Sequence, residues 1–355
     1  MKRDYYRYLK EARGRDEATI DAVAKSLARF EESTGRKEFR RFHREQAVAF
    51  KRRLAEAVNA RTGERLSKAT MLSTLRDLRA FFFWLAHLPG FKSHIAYADA
   101  DYFNLSDKDV AVARARRDKA VPTLEQVEHV LSLMPADTIV QRRDRALIAF
   151  TMLTGTRVTA LTSLCLFHVD LAGGYVDQDA RTVRTKFAKT FRTYFMPVSE
   201  RALGIVTDWH TALSADVTRG LGGALFPATA IALDPAGGFA PTGLHAHGWS
   251  TSEPVREAFR RAFALAGLPY FNPHSFRDML VRHFMAANLS AEELKAISQN
   301  LGHADVLTTF TSYGAVPGHR QAELVRGAGR KHANGAEPGT DALLAMLRSR
   351  MTHAA

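Results

Sequence analysis

The sequence predicts a mainly α-helical chain with one small antiparallel β-sheet, an α+β architecture in two domains. Apolar residues recur at three- and four-residue spacing through most of the chain, with capping residues ahead of the runs and glycine or proline behind them. Between Leu166 and Val198 that period gives way to short alternating segments. The 355 residues exceed one ordinary core, and 46% hydrophobic with 25% charged residues is a composition that folds in water.

The first expected helix, Thr19 to Glu32, carries Ile20, Val23, Leu27 and Phe30 on one face and stops at Thr34-Gly35. Arg44 to Ala60 follows, with Val48, Phe50, Leu54 and Val58. Ser67 opens a long helix whose buried stripe is Met71, Leu75, Leu78, Phe82 and Leu85, ending before Pro89-Gly90. Phe81, Phe83 and Trp84 are expected in the core beside Phe82. Lys68, Arg76 and Arg79 fall on the exposed flank, where they either track a phosphate backbone or form a solvated face. Arg114, Arg116, Arg117 and Lys119 make a charge run without apolar period, so residues 113–121 are expected to link a first domain (1–112) to a second that begins near Pro122.

In the second domain, Thr123 and Gln126 make a capping box ahead of Val127, Val130 and Leu131. Ala146 to Leu153 is an apolar run that Gly155 terminates, which places Arg157 just past the stop. Tyr175-Val176, Arg181 to Arg184 and Thr193 to Met196 read as strands, with turns at Gly173-Gly174 and near Ala188. Residues 216–251, rich in Gly, Pro and Ala, read as a long loop to which no chemistry is assigned. Ser252 to Ala266 returns to helix through Val255, Phe259 and Phe263. His274 and Arg277 head another, with Met279, Leu280, Phe284 and Met285 as its apolar side. Ser290 with Glu293 caps a further helix that is expected to bury Leu294 and Ile297. Residues 326–355 read as a Gly-, Ala- and charge-rich tether followed by a short apolar helix (Leu343, Leu344, Met346, Leu347) capped by Thr340-Asp341, which needs a surface to dock on.

The net charge of +13 is concentrated at one end: residues 1–120 hold 27 Lys and Arg against 17 Asp and Glu, and residues 121–355 hold 23 against 20. A polyanion, most simply nucleic acid, fits such a surface. The single cysteine, Cys165, excludes an internal disulfide and four-cysteine zinc sites and fits a reducing cytoplasm. Among Leu161, Leu164 and Leu166 it reads as a buried, inert thiol. No apolar run approaches the about eighteen residues of a membrane span, and the N-terminus lacks the core of a signal peptide. His245 and His247 read as polar surface rather than as a metal site.

The chemistry concentrates late in the chain. His274-Ser-Phe-Arg277, Leu301-Gly302-His303 and Tyr313 bring an imidazole, a guanidinium, a second imidazole and a phenol into one stretch. On a helix His274 and Arg277 are expected to project from one face as a phosphate-facing pair. Arginine can grip two phosphate oxygens at once and does not titrate at working pH. Arg157, in Thr154-Gly155-Thr156-Arg157, could clamp the same phosphate from another side.

Taken in order, the segments from about Asp144 to Val316 resemble the tyrosine recombinase (phage integrase) family. Its pattern is an Arg in a T-G-x-R box, a Lys in a β-hairpin, H-x-x-R, L-G-H and a tyrosine nucleophile. The matching positions are Arg157, Lys189, His274, Arg277, His303 and Tyr313, with Lys186 a competitor for Lys189. The resemblance implies an N-terminal core-binding bundle, whose second half the run from Leu66-Ser67 to Trp84 matches, and an integrase-like catalytic domain over 122–325. It implies site-specific cleavage and rejoining of double-stranded DNA through a 3′-phosphotyrosyl link, with no metal, ATP or other cofactor, in the cytoplasm. The implied DNA contacts are Lys68, Arg76, Arg79, Arg114, Arg116 and Arg117. The implied assembly is a homo-oligomer, tetrameric when two sites are paired, with accessory DNA-bending proteins as further partners. In that family a C-terminal segment packs on a neighbouring protomer, so docking of the last helix in trans or in cis is expected.

Two departures from the pattern stand out. Ala160 occupies the place where many members carry an acidic residue, and ten residues separate His303 from Tyr313, one more than the commonest spacing. They keep open a catalytically reduced architectural or regulatory protein of the same fold; a DNA-relaxing enzyme of similar chemistry is a further alternative. The DNA sequence recognised, and whether the outcome is integration, excision, resolution or inversion, are not written in these motifs.

Overall fold

The structure, a computed structural model, describes residues 1–60, 62–115, 120–216, 222–233, 237–287 and 289–303. Its contacts divide the chain into two compact units, Met1–Arg117 and Asp118–Ala355. Among the described residues, no helix is long and apolar enough to cross a membrane. Arg116, Arg117, Tyr313 and the expected C-terminal tether and helix lie outside the described residues.

The first unit is helical: α1 (Lys2–Arg7), α2 (Glu17–Ser33), α3 (Arg44–Glu56), α4 (Lys68–Leu85), α5 (Tyr97–Ala100) and α6 (Asp107–Arg114). Asp16 caps α2 and Ser67 caps α4, each side chain accepting from the backbone N–H three residues on, which satisfies a donor the helix start leaves free. The expected stripes of α2 and α4 are buried and meet an aromatic cluster, in which Phe82 stands 4.2 Å from Phe42 and 4.9 Å from Phe103 between ring centroids. Two readings need correction here. Helix α3 stops at Glu56, and Val58, 57% exposed, bridges to Arg65 instead. Phe83 is also outside the core at 44% exposed, because it turns to Tyr97 and His87 on the flank while Phe81 and Phe82 fill the interior. Helix α6 runs through Arg114, past residue 112 where the first domain was expected to end.

The second unit opens with α7 (Leu124–Leu133), started by the Thr123/Gln126 capping box, and α8 (Ile139–Thr154). From Ala146 to Thr154 every residue of α8 is buried, as in a helix surrounded on all sides. Its two interior threonines are tolerated because Thr151 Oγ1 and Thr154 Oγ1 donate to the carbonyls of Leu147 and Phe150, both at 2.7 Å. The short α9 (Val158–Leu161) follows, then a three-stranded antiparallel sheet, β1 (Val169–Asp170), β2 (Tyr175–Gln178) and β3 (Phe191–Tyr194), in that order. Next come α10 (Glu200–Ser214), β4 (Pro227–Leu233), β5 (Phe239–Gly248), α11 (Glu253–Leu265), α12 (Ser275–Ala286) and α13 (Ala291–Asn300). The buried faces of α7, α8, α10, α11 and α12 share one core with the sheet.

Three expectations for this unit are overturned. Residues 216–251 are not a long loop: β4 and β5 pair antiparallel, Ile231 opposite Pro241 and Leu233 opposite Phe239. The alternation is masked in the sequence by small residues and by two register shifts. Arg181 to Arg184 is not a strand, because Arg184 spends its guanidinium on the carbonyls of Ser250, Thr162 and Trp249, and Thr182 turns back to Asp179. Cys165 is half-buried rather than buried, and its partial burial pushes the thiol up, away from the reactive thiolate.

Candidate active site

Among the described residues, Arg157, His274 and His303 sit next to the ends of helices. Helix α8 closes on Gly155 in the left-handed region (φ 58°), and a Cβ there would meet Leu301 at 3.0 Å, Leu280 at 3.2 Å and Arg277 at 3.3 Å. That tight turn sets half-buried Arg157 as the residue before α9. His274 precedes α12 and is held by Asn272, whose Oδ1 accepts from the backbone N–H of His274 at 3.0 Å and of Ser275 at 3.2 Å. His303 follows α13 in a two-bond helix stop: the N–H of Gly302 donates to the carbonyl of Gln299 at 2.7 Å, and that of His303 to Ser298 at 3.1 Å. Gly302 (φ 67°) is required there, since a Cβ would stand 2.5 Å from Phe191 Cζ.

Arg277 joins these ends. It is 2% exposed, so it does not share a solvent face with exposed His274, as the helical spacing alone implied. Its Nη1 donates to the carbonyl of Gly155 at 2.6 Å, its Nη2 to the carbonyl of Leu301, and Nη2 also lies 3.1 Å from His303 Nε2. A guanidinium has only donors, so His303 Nε2 must be the acceptor, and the ring is neutral with its proton on Nδ1. The surroundings of the ring act in the same direction. Burial first, and then the charges of Arg277, Arg157, Lys189 and His274, hold the imidazole down at about 3. Four cationic or potentially cationic groups therefore act on one ring. Arg277 Nε and Thr156 Oγ1 are buried without a hydrogen-bond partner among the described residues.

Lys189 and His303 line one cavity of about 680 Å³ together with Phe191, Tyr194, Asn300 and Gly302. Lys186 is exposed, and its Nζ lies over the Phe187 ring, 4.9 Å from the centroid. Ala160 is buried and offers no carboxylate to Arg157. Among the described residues no three His, Cys, Asp or Glu side chains gather as a metal site; His245 and His247 lie on β5 with their rings stacked at 4.8 Å.

The candidate DNA contacts of the first unit lie apart from this cluster in sequence and are engaged differently. Lys68 pairs with Asp109 at 2.9 Å and Arg79 with Asp101 at 2.6 Å, while Arg76 and Arg114 are exposed. Exposed pairs of this kind are worth about 0–1 kcal/mol, so exchange of the carboxylate for another anion is cheap.

Sequence reasoning missed Asn272, Asn300 and Phe191. Asn272-Pro273 carried a local signal, because Asn before Pro starts turns. Nothing local marked Phe191 or the side-chain contacts of Asn300, which starts the turn that presents His303.

Comparison with known proteins follows the same segments. A sequence model described as the phage integrase family matches residues 123–318, more than half of the chain. The chain is 24% identical over 206 residues to the tyrosine recombinase XerC of Pseudomonas putida, a match covering 57% of this chain and 59% of that protein. It thus spans under two thirds of the length of that relative. It is 24% identical over 313 residues to XerC of Xylella fastidiosa, covering 86% of this chain and 89% of that one. Among solved structures, a lambda integrase dimer bound to a COC′ core site superposes with a TM-score of 0.59 at 15% identity, covering 88% of this chain and 93% of the other. XerH site-specific recombinase, bound to a palindromic difH substrate in a post-cleavage complex, gives 0.59 at 15% identity over 92% and 84%. These two likenesses show a common fold. With that fold in place and the family's sequence pattern spanning the segments that meet at Arg277, this chain belongs to the phage integrase family.

Proposed function

We propose that the protein is a tyrosine-type site-specific DNA recombinase that cleaves and rejoins duplex strands through a 3′-phosphotyrosyl intermediate. The observation that carries this reading is the convergence on His303 of Arg157, Lys189 and the His274–Arg277 pair, groups from three other segments of the chain. A phosphodiester dianion in the making is the ligand such a cluster suits. The DNA-bound relatives of the same fold support the choice of duplex DNA as substrate, and the surplus of basic residues in the first 120 supports a nucleic-acid surface there.

In this mechanism the Tyr313 phenol attacks phosphorus and passes its proton to His274. The Tyr313 Oη–P bond forms as the P–O5′ bond breaks. Arg157 and the uncommitted N–H groups of Arg277 stabilise the charge on the non-bridging oxygens. Of the five N–H donors of a guanidinium, Arg277 Nε–H and one on Nη1 are not used in its contacts with the Gly155 and Leu301 carbonyls and His303. Neutral His303 adds a bond through Nδ1–H, and Lys189 Nζ protonates O5′. The 5′-hydroxyl of a second strand then reverses the chemistry, so rejoining needs no nucleotide. The residues of this cluster supply the positive charge themselves. A tetramer on two paired DNA sites is the assembly that strand exchange between duplexes calls for.

The test uses a pool of nicked duplexes with randomised arms, from which protein-linked strands are recovered under denaturing conditions. Wild-type protein is expected to yield linked strands that Tyr313→Phe abolishes, and the recovered duplexes to recombine in pairs. No linked strand from the pool, or linkage that survives Tyr313→Phe, overturns the reading. Relaxation of supercoils without recombinant joints replaces it with a DNA-relaxing enzyme.

A further inference from the structure

We propose that Asn300 is a positioning residue that sets the strand following Lys189 against the turn carrying His303, and so holds the lysine over the leaving oxygen. The inference rests on the recombinase reading above. Its basis is how β3 is held on its outer edge. On its inner side β3 pairs with β2, Val176 opposite Thr193 and Tyr175 opposite Tyr194. On the outer side the Asn300 side chain takes the place of a further strand. Its Oδ1 accepts from the Tyr194 backbone N–H at 2.6 Å, and its Nδ2 donates to the Tyr194 carbonyl at 2.9 Å. A primary amide presents the same donor and acceptor as a peptide group, so one side chain satisfies both edge groups.

A third bond fixes the Asn300 backbone. Thr193 Oγ1 donates to the Asn300 carbonyl at 2.9 Å and accepts from Gln178 Nε2, also at 2.9 Å, with Thr193 and Gln178 both buried. One residue is thereby tied at three points to a strand that begins two residues after Lys189. The same residue leads into Leu301, whose carbonyl takes Arg277 Nη2, into Gly302, whose Cα lies against Phe191, and into His303. Asn300 is the junction between the arginine–histidine half of the site and the lysine half.

A second observation points the same way. Immediately before Lys189, Phe187 (φ 61°) and Ala188 (φ 48°) are consecutive non-glycine residues in the left-handed region. Such a turn persists only where its surroundings hold it. Thr190 anchors it on one side, its Oγ1 accepting from the Ala180 N–H at 3.1 Å, and the Asn300 contacts anchor β3 on the other. Loss of the amide releases the strand end and lets the lysine wander from O5′.

The chemistry gives a readout that a general loss of structure does not. As the Tyr313 Oη–P bond forms and the P–O5′ bond breaks, the Lys189 proton goes to O5′. Replacing O5′ by sulfur lets the leaving group depart as a thiolate without that proton. The test measures single-turnover cleavage of a recovered duplex carrying either 5′-oxygen or 5′-sulfur at the scissile position. Asn300→Ala is expected to slow the oxygen substrate by about tenfold or more and to cleave the sulfur substrate within about threefold of wild type, as Lys189→Ala does. Arg157→Ala is expected to be slow on both. Equal slowing of both substrates by Asn300→Ala, or slowing of neither, overturns the proposal, and so does a Lys189→Ala defect that sulfur does not relieve. Should Asn300→Ala fail to fold, Asn300→Asp keeps the shape and the acceptor but loses the donor to Tyr194, and the same ratio decides. Absence of any linked strand with wild-type protein sinks the recombinase reading instead.

Discussion

Lowering the pH should unfold this protein partly through His303, and the size of the effect follows from the site. In the folded chain the ring is buried, 9% exposed, beside Arg277, Arg157, Lys189 and His274, and its pKa is held down at about 3 against an ordinary 6.5. Above pH 6.5 the ring is neutral in both folded and unfolded chains and the linkage is silent. Below it the unfolded chain takes up a proton that the folded chain refuses, so stability falls as the pH drops and levels off only near 3. From pH 6.5 to pH 5 the unscreened loss is about 2 kcal/mol, at about 1.4 kcal/mol per pH unit. Solvent in the adjoining cavity screens the charges, which brings the expected loss to about 1 kcal/mol. His303→Gln keeps an acceptor for Arg277 and cannot titrate. Urea denaturation of both proteins at pH 7 and pH 5 should therefore show a wild-type loss larger than the variant's by about 1 kcal/mol. Identical pH slopes for the two proteins would refute the reasoning.

Other consequences are equally open to measurement. Gly302→Ala places a side chain in a left-handed turn and 2.5 Å from Phe191 Cζ, and should cost about 2–3 kcal/mol in urea unfolding, whereas a change near zero contradicts the turn geometry. Arg143, 2% exposed, binds Asp144, the Pro227 carbonyl and Thr229 and lies over Trp249, so Arg143→Met should destabilise by about 3 kcal/mol and speed amide exchange in β4. Unchanged exchange there removes Arg143 as the anchor of that strand. Arg157→Met should lower the rate of covalent linkage to DNA by about 10²–10³ while leaving noncovalent DNA affinity within about threefold, and equal losses in both would make Arg157 a binding residue only.

Much of the helical scaffold was legible because its signals are local. Ser67, Thr123 and Ser290 cap the helices that follow them, and the stripes of α2, α4, α7 and α11 are buried as their spacing requires. Phe83 failed because a run of four aromatic residues on a helix must point around its circumference, and periodicity alone does not say which one faces out. The β4–β5 pair failed because alanine, threonine and glycine give no clean alternation, and its support comes from Arg143, over eighty residues away in the chain. The candidate groups stand in the sequence as an ordered series of types. Their arrangement was not: Arg277 reads as a surface cation, yet its partner Gly155 lies 122 residues upstream, and burial follows from that contact. Asn300 is invisible for the same reason, since the strand edge it completes is 106 residues away.

The bond proposed here joins the phenol at position 313 to a DNA phosphate at the cluster around Arg277. Its most direct measurement is tandem mass spectrometry of the trapped, nuclease-trimmed adduct after trypsin digestion. Cleavage after Lys295 and Arg320 releases peptide 296–320, in which Tyr313 is the sole tyrosine. Cleavage through a 3′-phosphotyrosyl link leaves a nucleotide 3′-phosphate on that tyrosine. A nucleotide on any other residue, or attached through its 5′-phosphate, contradicts it.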